Sequence, residues 1–145
     1  MPNAPKLPPD AILVVEGSAT LQLFLRRVLG DSNFEPVCFG SVGEAVKAPP
    51  RRYSAILLDV MWLDPQAMED LEEIQRMWGG VPLLVLVDTP ERIQTLGLRH
   101  YGAVAIAKPF KNEQLVELVR RLADEGRQLG VNTPRPCKPP RPLLS

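Results

Sequence analysis

Three short apolar runs in this chain each break off at a charged residue. Ile12-Leu13-Val14-Val15 ends on Glu16, Ala55-Ile56-Leu57-Leu58 on Asp59, and Val104-Ala105-Ile106-Ala107 on Lys108, which Pro109-Phe110 follows. Unbroken apolar runs of this length read as strands buried on both faces, the mark of a parallel sheet covered by helices. If the three runs belong to one such sheet, their terminal charges gather at its carboxyl edge, where open α/β sheets bind ligands and carry out chemistry.

The rest of the chain alternates strand and helix. After Ala11–Val15, Leu21, Leu25, Val28 and Leu29 recur at helical spacing with Ser18 as the cap, and Gly30 and Asn33 are expected to stop that helix. Pro36–Gly40 is a weak strand. Ser41-Val42-Gly43-Glu44 has capping-box spacing for a short helix that Pro49-Pro50 cannot continue. Ser54–Asp59 is the third strand, and Asp64-Pro65 opens a helix with Met68, Leu71, Ile74 and Met77 on its apolar side until Gly79-Gly80. Pro82–Val87 is the fourth strand. Thr89-Pro90-Glu91 starts a fourth helix through Ile93 and Leu96 towards His100, and Gly102 turns the chain into the fifth strand. The last helix starts near Asn112, carries Leu115, Leu118, Val119 and Leu122, and is expected to end at Gly126 or Gly130. Strict alternation of this kind predicts a three-layer α/β sandwich around a parallel sheet. Periodicity leaves the strand order open.

Composition removes several function classes. The 145 residues, 45% of them hydrophobic, suffice for one well-buried domain. Lys plus Arg and Asp plus Glu number 17 each, so no overall charge marks the surface for nucleic acid or anionic membrane. Cys38 and Cys137 are too few for a disulfide framework, and Cys38, in an apolar stretch, reads as a buried free thiol. The first residues lack the apolar core of a signal peptide, and the stretch around Val81 to Val87 is too short to span a bilayer. A cytoplasmic location is expected. From Val131 onward, Pro134, Pro136, Pro139, Pro140 and Pro142 alternate with Arg135, Lys138 and Arg141, the composition of an extended tail.

Val14-Val15-Glu16-Gly17, Leu57-Leu58-Asp59-Val60-Met61, the Tyr101-Gly102-Ala103 turn and Lys108-Pro109-Phe110 resemble, in order and spacing, the receiver domains of two-component response regulators. The resemblance covers roughly Ala11 to Ala123. It implies a flavodoxin-like (βα)5 sandwich with a five-stranded parallel sheet in the order 2-1-3-4-5. The division expected is an N-terminal extension over 1–10, a receiver-like domain over 11–129 and a Pro/Arg-rich disordered tail over 130–145. The resemblance further implies a signalling protein rather than an enzyme, phosphorylated on Asp59, with Lys108 contacting the phosphoryl group. Mg²⁺ would be held by Glu16, Asp59 and the main-chain carbonyl of Met61, and the peptide before Pro109 would be cis. A histidine kinase or phosphotransfer protein would supply the phosphoryl group. Output would pass to a downstream protein, with a homodimer possible through the face of the fourth helix, fifth strand and fifth helix. No nucleic-acid or membrane partner is implied.

A carboxylate attacking a phosphoryl donor approaches a like-charged group, so catalysis there is mostly charge neutralisation and positioning. Against that requirement the chain departs from the family pattern. Where receivers carry adjacent acids after the first strand, this chain has Glu16-Gly17, so weaker or absent Mg²⁺ binding is expected. The two switch positions are degenerate: Val87 has no hydroxyl, and Ala105 replaces an aromatic residue. Asp88 adds negative charge beside the site, and only a two-residue slip would bring the Thr89 hydroxyl to it.

Plainer readings stand beside these. Lys108 and Asp59 can form a static salt bridge, Glu16 can be a strand-end acid, and His100 a favourable charge at a helix end. Trp62 suits either core or an interface anchor, and Pro136-Cys137-Lys138-Pro139 fits a PxxP ligand as well as a solvated terminus. Two alternatives follow. One is a phosphorylation-independent pseudo-receiver that acts as a protein-interaction module. The other is a small flavin carrier, suggested by Gly17-Ser18-Ala19-Thr20 but opposed by Leu21, where a phosphate loop needs Gly.

Overall fold

The computed structural model describes residues 8–60, 65–89, 91 and 102–132. Strands β1 (Asp10–Val15), β2 (Phe34–Phe39), β3 (Ala55–Val60), β4 (Leu83–Val87) and β5 (Ala103–Ala107) form one sheet in the order β2-β1-β3-β4-β5. Every neighbouring pair is parallel. The helices are α1 (Ala19–Asp31), α2 (Val42–Lys47), α3 (Pro65–Trp78) and the last, α4 (Asn112–Asn132). This is the flavodoxin-like sandwich and strand order that the resemblance implies.

The two-residue alternation of each strand divides the core into two layers. Leu13, Val15, Ile56, Leu58, Val85 and Val87 pack with Val42 and Ala45 of α2 and with Ala67, Leu71, Ile74 and Trp78 of α3. Ile12, Val14, Leu57, Leu84 and Leu86 pack on the opposite face with Leu25 and Leu29 of α1 and Leu115, Val119 and Leu122 of α4. Because both faces are covered, β1, β3 and β4 need apolar side chains at nearly every position, which is why they appear as unbroken runs.

Several element boundaries differ from expectation. Helix α1 passes through Gly30 and is capped at Ser32, and the chain turns at Asn33, whose φ of 71° is in the left-handed region that Asn tolerates. Strand β2 begins two residues early and contains Pro36. It is an edge strand, where a missing N–H breaks no ladder on the open side. The apolar side of α3 is set by Ala67, Leu71, Ile74 and Trp78, whereas Met68 is exposed and Met77 only flanks the core. Small Ala67 and terminal Trp78 conceal that stripe among larger apolar neighbours. The Trp78 ring meets Tyr53 edge-on at 6.1 Å between centroids.

Neither Gly126 nor Gly130 ends α4, which continues to Asn132. Gly126 serves close approach instead: a Cβ there would overlap the Ser54 carbonyl oxygen at the start of β3. A polar clasp surrounds this contact, Ser54 Oγ donating to Asp10 Oδ1 at 3.0 Å and Arg127 Nε lying 3.1 Å from Asp10 Oδ2. Cys38 is a free thiol only half-buried on β2; burial pushes its pKa up, against the opposing effect of Arg26. Among the described residues, no helix is long and apolar enough to cross a membrane. The predicted fourth helix beyond Glu91, with His100, and Met61, Trp62, Asp64 and the tail from residue 133 with Cys137 lie outside the described residues.

Candidate functional site

The strand register assembles the site. Val15 is opposite Leu58, which places Glu16 and Asp59 side by side where β1 ends and β3 nears its end. Leu86 is opposite Ile106 and Val87 opposite Ala107, and the Lys108 N–H donates to the Val87 carbonyl at 2.8 Å, so the ladder itself carries Lys108 to the same edge. Counted in steps of two, Glu16 follows Val14, Asp59 follows Leu57 and Lys108 follows Ile106, so all three continue the α1/α4 side of the sheet. The Glu16 N–H donates to the Phe39 carbonyl at 3.0 Å, which fixes the exit of β1.

Lys108 Nζ donates to both oxygens of Asp59, at 2.9 Å to Oδ1 and 2.7 Å to Oδ2. The Asp59 side chain is 1% exposed and that of Lys108 28%, so the ammonium reaches a buried carboxylate from the rim. The Lys108-Pro109 peptide is cis.

Glu16 is 1% exposed as a whole residue. Its Oε2 accepts the Ser18 N–H at 3.0 Å, and its main-chain carbonyl accepts Gln22 Nε2 at 3.1 Å. Oε1 has no donor. The carboxyl group lies within hydrogen-bonding reach of Asp59, but two carboxylates are both acceptors and bond only if one holds a proton. Burial first, and Asp59 second, push the Glu16 pKa up to about 8, against the opposing pulls of the Ser18 N–H and Lys108.

These residues do not complete a divalent-cation site. Two carboxylates and one ammonium sum to a formal charge of at most −1, and three of the four carboxylate oxygens already have donors. No group of three His, Cys, Asp or Glu side chains that could hold a metal occurs among the described residues. The Met61 carbonyl expected as a further ligand lies outside them.

Glu16, Asp59 and Lys108 therefore come together, and the other expected positions do not join them. Val87 is fully buried and Ala105 partly buried in the α2/α3 layer on the other face of the sheet. Asp88 and Thr89 are exposed beyond the end of β4. Ser18 has the capping role assigned to it, its Oγ accepting the Leu21 N–H at 3.3 Å. Sequence reading missed Gln22. Its position one turn into α1, six residues after the strand-end acid, is the only signal that it bonds back to the β1 exit.

No protein-family model and no curated protein matches the chain. Solved structures do. A receiver domain of a sensor histidine kinase from Pseudomonas aeruginosa, with magnesium coordinated in its active-site cleft, is 24% identical over 80% of this chain and 98% of its own, at a TM-score of 0.68. A CheY-like response regulator receiver domain from Methanospirillum hungatei is 20% identical over 84% and 99%, at 0.72. A chemotaxis response regulator of Vibrio cholerae is 22% identical over 79% and 98%, at 0.68. The chain has the receiver-domain fold.

Proposed function

We propose that this chain is a receiver-type module of two-component signalling, with Asp59 at the phospho-acceptor position and output through protein contacts. The observation that carries the reading is the Asp59–Lys108 pair at the carboxyl edge of a 2-1-3-4-5 sheet, with a second acid at the end of the neighbouring strand. A histidine kinase or phosphotransfer protein is the donor in this reading. An Asp59 oxygen forms a bond to phosphorus as the phosphorus–nitrogen bond of a phosphohistidine breaks, and the histidine takes up a proton. Lys108 is the cation on hand to offset the incoming charge. The chain is a phosphoryl acceptor in signalling and not an enzyme with a turnover of its own.

Phosphorylation in this reading is slow. Phosphoryl transfer depends on accumulated positive charge, and here a single ammonium faces Asp59 and Glu16. The magnesium of the Pseudomonas domain has no complete set of ligands among these residues. A second reading, the phosphorylation-independent interaction module, is favoured by two observations: Asp59 is already neutralised by Lys108, and Val87 and Ala105 offer the switch neither a hydroxyl nor an aromatic ring.

Intact-protein mass after incubation with acetyl phosphate, with and without Mg²⁺, separates the two. The receiver reading expects a slowly accumulating phosphoryl adduct that Asp59→Asn abolishes. No adduct, beside an ordinary receiver that is labelled in parallel, selects the interaction module.

A further inference from the structure

We infer that Lys108, rather than a divalent cation, is the resident counter-charge of Asp59, and that Glu16 does not replace the carboxylate missing at Gly17. The inference rests on the reading of Asp59 as the acceptor position and adds to it how the site's charge is balanced.

Three observations carry it. The ammonium of Lys108 spans both Asp59 oxygens at 2.7 and 2.9 Å, so a divalent ion on either oxygen would stand beside an existing positive charge. Glu16 has the reach to extend towards a metal but uses it locally. Its Oε2 holds the Ser18 N–H at the entry to α1, and its main-chain carbonyl, held by Gln22, ties the exit of β1 to the same helix. Finally, the formal charge of Glu16, Asp59 and Lys108 is at most −1, while Mg²⁺ gives up its waters reluctantly and needs well-placed anionic oxygens to do so.

The deficit lies at one position, and packing does not enforce it. A Cβ on Gly17 would meet nothing nearer than the Gly40 carbonyl oxygen at 3.6 Å, an ordinary contact, and its backbone is outside the left-handed region. Gly17→Asp therefore adds a carboxylate beside Glu16 with its Cβ in ordinary contact, and makes the formal charge one unit more negative. Lys108→Met reaches the same charge by the opposite route, removing the competing ammonium.

The test is a Mg²⁺ titration of the ¹⁵N-labelled full chain, following the amides of Glu16 to Ser18 and Asp59, with Mn²⁺ broadening as a second readout. The parent and Gly17→Ala are expected to show no saturable shift through the millimolar range. Gly17→Asp, and separately Lys108→Met, are expected to gain one. Saturable binding by the parent that Glu16→Gln removes would overturn the inference, as would a folded Gly17→Asp and a folded Lys108→Met that both stay silent. Neither readout needs phosphoryl transfer. A parent that is never labelled by acetyl phosphate thus sinks the acceptor reading alone, while labelling that requires Mg²⁺ sinks this one.

Discussion

Glu16 is an acid whose burial, with Asp59 beside it, favours its protonated form against the pulls of the Ser18 N–H and Lys108, and that sets the sign of its pH dependence. Its folded pKa of about 8 exceeds the ordinary 4.5, so between those values the native state binds the extra proton. The stability this gives is full below about pH 4.5, declines across the interval and is gone above about pH 8. Glu16→Gln places an amide donor where the acid proton would be and does not titrate. Urea midpoints from pH 4.5 to 9 are expected to fall less steeply with pH in the variant, which becomes the more stable protein at the alkaline end. An unchanged slope would refute the assignment. Asp59 and Lys108 are a coupled pair: Lys108→Met leaves a carboxylate with a 1% exposed side chain unpaired, at a cost of about 2–4 kcal/mol. In an Asp59→Asn background the same substitution should cost far less, and a double-mutant cycle by urea denaturation measures the difference.

At the scale of elements, two helical glycines have opposite meanings. Gly30 in α1 has open space where a Cβ would go, so Gly30→Ala should stabilise by about 0.5–1 kcal/mol through helix propensity alone. Gly126 in α4 lies against the Ser54 carbonyl, and Gly126→Ala should destabilise by about 1–3 kcal/mol as the helix is forced from β3. Thermal or urea unfolding of both variants gives the comparison, and equal signs would contradict the packing described. The same contrast explains what could be read beforehand. A glycine in sequence signals a stop or a close approach, and only the neighbouring strand decides between them, so by its sequence Gly126 reads as well for an end as Gly130 does. The stripe of α3 went astray in a related way, because Ala67 carries little hydrophobicity of its own and is core only by its position opposite the sheet. Local signals served well where the physics is local: Ser18 and Ser41 cap their helices with side-chain oxygens, as their spacing suggested.

For the whole molecule, the unbroken apolar runs gave the three-layer architecture, since only a sheet covered on both faces requires them. Strand order was a different matter. Periodicity is blind to which strands are neighbours, and the 2-1-3-4-5 order came from the resemblance carried by Glu16, Asp59 and Lys108-Pro109. The gathering of these three side chains was legible because each ends an apolar run. The local ties of Glu16 were not, because they depend on how α1 turns back over β1. Nor was the clasp of Asp10, Ser54 and Arg127, whose members are far apart in sequence and individually unremarked.

That clasp gives the molecule a mechanical polarity. Tension applied to the chain beyond α4 would reach β1 and β3 through Arg127 on Asp10 and Gly126 on Ser54, at the edge of the sheet opposite Asp59. The force would enter two adjacent inner strands at their origins and not an edge strand. A partner that pulled on the segment after α4 would therefore load β1 and β3 at the end of the sheet away from the Asp59–Lys108 pair.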